Sequence, residues 1–279
     1  MAIKKFTKTF ILHAALIIMV IISLYPIFIM IAGSLKANGE FSTNAAGFPI
    51  IISIQNYIDL FGYSAGIIVR TYANSLFVST SSTIITLLLA TMAAYAFGKL
   101  QFKGRDIIFF MLLVTMMIPA ELNMTPLYLM FSKMHWLNSY QIQILPGTAN
   151  VFALFLLRQH VSTIPNELLE AAKIDGAGHL RIYKDIIIPT SMPAITALSI
   201  LVFLGKWNDY LFPKIMIDNP KFMPIMEILP TLNIKGSDMA MPFELILAGC
   251  TIVVLPLLIV FFIFQDKFMS SVTLGAVKG

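Results

Sequence analysis

Residues 245–264 form a run of 20 without a single charge. Coiled as a helix at about 1.5 Å per residue, such a run is about 30 Å long, the thickness of a bilayer's hydrocarbon core. The remainder of the chain has the same character: 58% of its 279 residues are apolar and only 12% charged. Globular proteins average about 45–50% apolar and about 25% charged. These figures exclude a soluble domain, intrinsic disorder, collagen and a disulfide scaffold. The single cysteine, Cys250, lies inside the apolar run and has no partner for an intrachain disulfide.

A window of about 19 residues finds six spans, at 10–32, 74–97, 107–130, 143–157, 186–205 and 245–264. The expected fold is therefore all-α, a polytopic membrane protein with six transmembrane helices. The first span follows Lys4, Lys5 and Lys8, and Ala32 and Ser34 have the spacing of a signal-peptide cleavage site. Its 23 apolar-rich residues exceed the roughly 7–15 of a signal sequence, so it is expected to be a retained helix.

An even number of spans places both termini on one side. If that side is cytoplasmic, the inner segments hold 12 basic and 6 acidic residues and the outer ones 7 and 8. The net +5 then divides into +6 inside and −1 outside, the bias of the positive-inside rule. In a soluble protein that +5 would suggest nucleic acid, but basic residues are not interleaved with exposed aromatics here, and no nucleic-acid partner is expected. The organisation read from the chain is a cytoplasmic N-terminus (1–9), a membrane domain (10–266) and a cytoplasmic tail (267–279). Within the domain lie outer loops at 36–71 and 206–243 and a cytoplasmic loop at 162–185.

In the third span Pro119 and Pro126 frame Glu121, Asn123 and Thr125. Two readings stand: a helix broken at membrane depth beside a cavity, or a helix that ends at Ile118 and is followed by a short amphipathic one.

Several chemistries are missing. The spans carry almost no ionisable groups beyond His13 and Glu121, which argues against a proton-coupled carrier. No phosphate-binding G-x-x-x-x-G-K-[ST] loop occurs, so any ATP-driven motor is another chain. No metal-ligand spacing appears. Gly62 to Gly66, reading GYSAG, matches a hydrolase nucleophile elbow, but no core strand precedes it and the glycines are expected to form an outer turn. No catalytic residue is expected. Asn123 and Thr125 form a glycosylation sequon inside a membrane-associated span, where transfer is difficult.

The cytoplasmic loop carries most of the information. Thr163, Pro165 and Asn166 are helix-start signals, and Glu167 and Glu170 suit the positive end of a helix dipole. The helix should run to about Asp175, with Gly176 as a left-handed cap. Leu168, Ala171, Ala172 and Asp175 share one face. That small, weakly apolar face fits either a groove on another protein or packing back onto the helical bundle.

Glu170, Ala171, Ala172, Asp175 and Gly176 are followed after nine residues by Ile186 and Pro189. This order resembles the EAA loop of the membrane subunits of ABC importers. Asn74 with Ser75, Ala93 to Phe97 with the basic loop after them, Trp207 to Pro213 (WNDYLFP) and Gly275 to Gly279 (GAVKG) are similar to the maltose-type carbohydrate permeases. Ser271 to Leu274 (SVTL) departs from the usual tail.

The resemblance implies the type I ABC importer permease fold and a translocation subunit for a sugar or oligosaccharide. It implies as partners a second homologous permease, two ATPase subunits holding ATP and Mg, and an extracellular solute-binding lipoprotein or periplasmic protein. No cofactor is implied in this chain, and its place is the cell membrane, plasma or inner. Glu170, Ala171, Ala172, Asp175, Gly176 and Ala177 would be the ATPase-coupling element, and Gly275, Ala276, Lys278 and Gly279 would reach the ATPase interface. Trp207, Asn208, Asp209 and Tyr210 would face the binding protein. Asn123, Thr125 and Asn150 offer hydrogen-bonding groups to a passing sugar. The competing readings are an ABC permease for an amino acid, polyamine or phosphate, and an ATP-independent secondary carrier.

Overall fold

The computed structural model describes residues 2–233 and 243–276, with side chains for 9–63, 66–232 and 243–263. In chain order the α-helices are α1 (Ala2–Ser34), α2 (Glu40–Thr43), α3 (Gln55–Gly62), α4 (Ile67–Lys99), α5 (Arg105–Thr115), α6 (Met124–Lys133) and α7 (Tyr140–Ile144). They continue as α8 (Val151–Ser162), α9 (Asn166–Ile174), α10 (His179–Ile182), α11 (Ile188–Trp207), α12 (Leu211–Met216), α13 (Ile225–Ile228) and α14 (Phe243–Ala276). The described residues contain no strand. The fold is all-α and multi-pass.

Among the described residues, four stretches are long and apolar enough to cross a membrane: Thr9–Ser34, Ile67–Lys99, His179–Trp207 and Phe243–Ile263. Arg105–Thr115 and Ala120–Lys133 together supply a fifth, bent by 88°. The expected span at 143–157 is not one helix. Pro146 cannot donate to the preceding turn, α7 stops at Ile144, and α8 restarts at Val151 under an Asn150 cap whose Oδ1 accepts from the Ala153 N–H at 2.9 Å. Its 12 residues extend only about 18 Å, so the count of six long spans falls to four, one bent pair and one short helix.

The third span breaks sooner than the prolines suggest. α5 ends at Thr115, and Pro119 takes an extended conformation (φ −56°, ψ 131°) before a 3-10 turn over Ala120–Asn123. A residue preceding proline is disfavoured in the helical region, so helix lost after Thr115 does not resume at Ile118.

The chain divides into two compact units, Met1–Val69 with Ile228–Pro256, and Arg70–Glu227 with Leu257–Gly279. In the first, the expected outer loop is tightly ordered. Lys36 is fully buried and donates to the carbonyls of Asn44 and Ala45, and Asn56 Nδ2 donates to the carbonyls of Ser34 (2.9 Å) and Lys36 (2.8 Å). The Ile50 N–H, 2.8 Å from Glu40 Oε1, holds that half-buried carboxyl below its usual range. The GYSAG string follows a helix and forms a 3-10 turn over Tyr63–Gly66, not a strand-turn-helix elbow.

The second unit has a core in which α4, α5, α8, α9, α10 and α11 meet. Ala94, Phe109, Leu157, Val161, Leu169, Ile182 and Leu198 are buried in it. Gly98 lets α4 and α8 approach closely, since a Cβ there would lie 3.1 Å from Val161 Cγ1. The same end is pinned by Arg158, whose guanidinium sits 3.8 Å from the Phe109 ring centre and donates to Asp106 Oδ1 (3.0 Å) and the Phe97 carbonyl (3.2 Å).

Candidate functional site

The loop between α8 and α11 folds as expected at its centre. α9 is capped by a Schellman arrangement: the Ala177 N–H donates to the Ala172 carbonyl (2.9 Å) and the Gly176 N–H to that of Lys173 (3.0 Å). Gly176 sits at φ +76°, where a side chain would be strained. Leu169 is buried and Ala172 and Ala177 pack half-buried against the core, whereas Leu168, Glu170, Ala171 and Asp175 are exposed. One edge of this helix packs back onto the unit, and another is exposed. Beside that outward edge stand two apolar side chains that periodicity did not single out, Ile174 and Leu180, exposed by 87% and 80%.

A second feature lies among α6, α12 and the break in the fourth span. A cavity of about 370 Å³ is lined by Glu121, Leu127, Pro146, Lys206, Asp209 and Phe212, among others. Lys206 and Asp209 form an ion pair at 3.8 Å with side chains 19% and 24% exposed. Lys206 Nζ also donates to the Gln143 carbonyl at 3.1 Å, neutralising the end of α7. Its stem lies 3.3 Å from the point a Gly147 Cβ would occupy, so glycine gives the lysine room. Burial pushes the Asp209 carboxyl above the usual range, opposed by Lys206 and the Phe212 N–H. Next to the pair, Gln143 Oε1 and Ser79 Oγ are buried without a partner.

The other expected site residues land differently. Trp207 is 1% exposed, stacked on Phe203 and set edge-on to Tyr72, so its ring has no surface for a binding protein. Asp209 turns into the cavity, leaving Asn208 and Tyr210 exposed. Asn123 and Thr125 are exposed and do not line the cavity that Glu121 lines. Asn150 commits its oxygen to capping α8. Gly275 and Ala276 end α14, and Lys278 and Gly279 lie outside the described residues. Lys206 escaped sequence reading because it reads as a loop cation at the end of an apolar helix. Its only signal was a charge within four residues of Asp209. Among the described residues there is no metal-ligand cluster.

The family model of the binding-protein-dependent transport system inner membrane component matches residues 62–273. The chain belongs to that family. It is 34% identical over 263 residues to the arabinooligosaccharides transport system permease protein AraQ of Bacillus subtilis (strain 168), covering 92% of this chain and 91% of the relative. The melibiose/raffinose/stachyose import permease protein MelC of the same strain is 30% identical over 259 residues, 91% of each. The fold matches a chain in the crystal structure of a bacterial ABC transporter involved in the import of the acidic polysaccharide alginate. The TM-score there is 0.83 at 22% identity, with 94% of this chain and 97% of that chain covered.

Proposed function

We propose that this permease translocates a sugar or oligosaccharide as the membrane subunit of an ATP-driven ABC importer. The observation that carries the proposal is α9 itself. It is anchored through Leu169 and Ala172, closed by Gly176, and presents Leu168, Glu170, Ala171 and Asp175 outward in a chain of the binding-protein-dependent family. The sugar assignment is supported by the names of AraQ and MelC.

α9 docks in a cleft of a cytoplasmic ATPase subunit, where Ala171 allows close approach and Glu170 pairs with a basic group. ATP and Mg reside on two such ATPase subunits, and this chain holds no cofactor. A second homologous permease completes the pathway, and an extracellular solute-binding protein delivers the sugar to the face bearing Asn208 and Tyr210. Both termini lie in the cytoplasm, and the tail through Gly275, Ala276, Lys278 and Gly279 reaches the ATPase interface. Closure of the ATPase pair moves the docked helices as rigid bodies and turns the cavity from one side to the other.

The cavity suits a polyol: Glu121 and Asp209 accept from hydroxyls, Lys206 donates, and the Phe212 ring offers an apolar face. The test is reconstitution of the complex in proteoliposomes with a panel of arabino-oligosaccharides and α-galactosides. Uptake that requires ATP, both ATPase chains and the binding protein is the expected result. Sugar uptake by this chain alone without ATP refutes the proposal, and ATP-driven uptake of an amino acid, polyamine or phosphate instead refutes the sugar assignment.

A further inference from the structure

Three polar side chains on α4, Thr91, Tyr95 and Lys99, are spaced four apart and so form one stripe at the helix's C-terminal end. Each meets the segment that flanks α9. Lys99 Nζ donates to the Ile164 carbonyl (2.5 Å), Asn166 Oδ1 (2.9 Å) and the Ser162 carbonyl (3.3 Å), all at the entry to α9. Tyr95 Oη lies 2.9 Å from His179 Nδ1, just beyond the exit. Thr91 Oγ1 donates to the Leu87 carbonyl (2.7 Å), which leaves its lone pair to accept from the Tyr183 hydroxyl at 2.7 Å. One face of one helix thus meets the entry to α9 and, beyond its exit, the start of the helical stretch His179–Trp207.

The covalent routes into α9 are softer. On the entry side, helix α8 stops at Ser162 and Pro165 is extended (φ −57°, ψ 136°). On the exit side Gly176 and Gly178 intervene, and residues Tyr183–Ile187 form a π-turn before α11 begins. Such turns are rare and mark local departures from a regular helix. By contrast α4 runs 33 residues without an internal proline, whereas Pro26, Pro193 and Pro256 lie inside α1, α11 and α14.

We infer that Thr91, Tyr95 and Lys99 are positioning residues that tie the segments on either side of α9 to α4, so that α4 is the lever joining ATPase closure to movement of the membrane unit. The inference rests on the proposed docking of α9 against an ATPase. It adds which helix carries the motion and through which atoms.

The test uses the reconstituted complex in a Cys250→Ala background. Spin labels at Met92, which is exposed on α4, and at Lys173 on α9 report the distance between the two helices with and without nucleotide. In the parent the distance stays narrow and unchanged by nucleotide. In Lys99→Met/Tyr95→Phe it broadens, ATP hydrolysis persists, and sugar moved per ATP falls on the order of tenfold, the loss expected for breaking several hydrogen bonds together. Lys99→Arg, which keeps the donors, restores most of the transport, and the single Tyr95→Phe variant reports the same broadening if the double variant assembles poorly. A narrow distance and normal transport per ATP in the variants overturn the inference. A Leu168→Cys crosslink to the ATPase separates the two claims: with the crosslink present, failure belongs to the stripe alone, and its absence from the parent overturns the docking and the lever together.

Discussion

Replacing Gly176 by alanine isolates the backbone conformation that closes α9. Gly176 has φ +76°, and no atom lies within 4 Å of the position its Cβ would take. The substitution therefore creates no clash, and its whole cost is the left-handed conformation, about 1–2 kcal/mol for a residue with a Cβ. That energy lowers the population of the capped helix end about 5- to 30-fold relative to its frayed form. The Gly176 and Ala177 N–H groups, bonded to the Lys173 and Ala172 carbonyls, should lose protection from hydrogen exchange by the same factor. Gly178 is the internal control. It too has open space around it, but its φ is −74° with ψ 169°, an extended conformation open to any residue, so Gly178→Ala should leave exchange unchanged. Gly176→Asn should be intermediate, since asparagine tolerates the left-handed region. ATP-driven uptake should fall in Gly176→Ala and not in Gly178→Ala. Equal protection in Gly176→Ala and the parent would refute the assignment of this glycine as the structural stop of α9, as would equal losses at the two glycines.

Asn74→Ala should release the segment before α13. Asn74 Nδ2 donates to the Lys221 and Met223 carbonyls (both 2.9 Å) and its Oδ1 accepts from the Tyr140 hydroxyl at 2.8 Å. Leaving such buried groups unpaired costs about 1–3 kcal/mol each, measurable as faster exchange at 221–225 and a lower melting temperature in detergent. Glu227 is buried 3.5 Å from Lys214, and desolvation raises its carboxyl above the usual range more than Lys214 lowers it. The folded state then holds the Glu227 proton more tightly than the unfolded chain, so stability is greatest at low pH and falls as pH climbs from the ordinary carboxylate range through the raised value, then levels. Glu227→Gln should remove that fall from a series of thermal melts, and an unaltered pH profile would contradict it. Lys206→Met should leave Asp209 buried without its cation, destabilising by up to about 3–5 kcal/mol, less in proportion to its remaining exposure. A reduced melting temperature restored in Lys206→Met/Asp209→Leu checks this.

Much of the architecture is legible from composition because lipid makes apolar runs unambiguous: the runs at 10–32, 74–97 and 245–264 fall within α1, α4 and α14, and 186–205 falls within the helical stretch His179–Trp207. The window fails where a proline divides an apolar run, since hydropathy is blind to the missing N–H of Pro146 and to the Asn150 cap. Helix α9 was readable for a local reason, as its start and its Gly176 cap are fixed within a dozen residues, while the face read from spacing holds except at Ala172, which packs against the core. The cavity was not, because Lys206 and Glu121 lie 85 positions apart in the chain and meet only through the turn after α5. Trp207 was misplaced because an aromatic at a helix end fits both an interfacial belt and a buried stack, and only its packing against Phe203 and Tyr72 decides between them.

The most direct measurement is crosslinking from the outward edge of α9. Single cysteines at Leu168, Ala171 and Ile174 in a Cys250→Ala chain, assembled with the ATPase subunits, should each form a crosslink to the ATPase whose yield changes between nucleotide-free and ATP-bound states. A cysteine at the inward Leu169 should form none. Crosslinking that is absent from the three outward positions, or equal at Leu169, would contradict the reading of α9 as the surface through which this permease is driven.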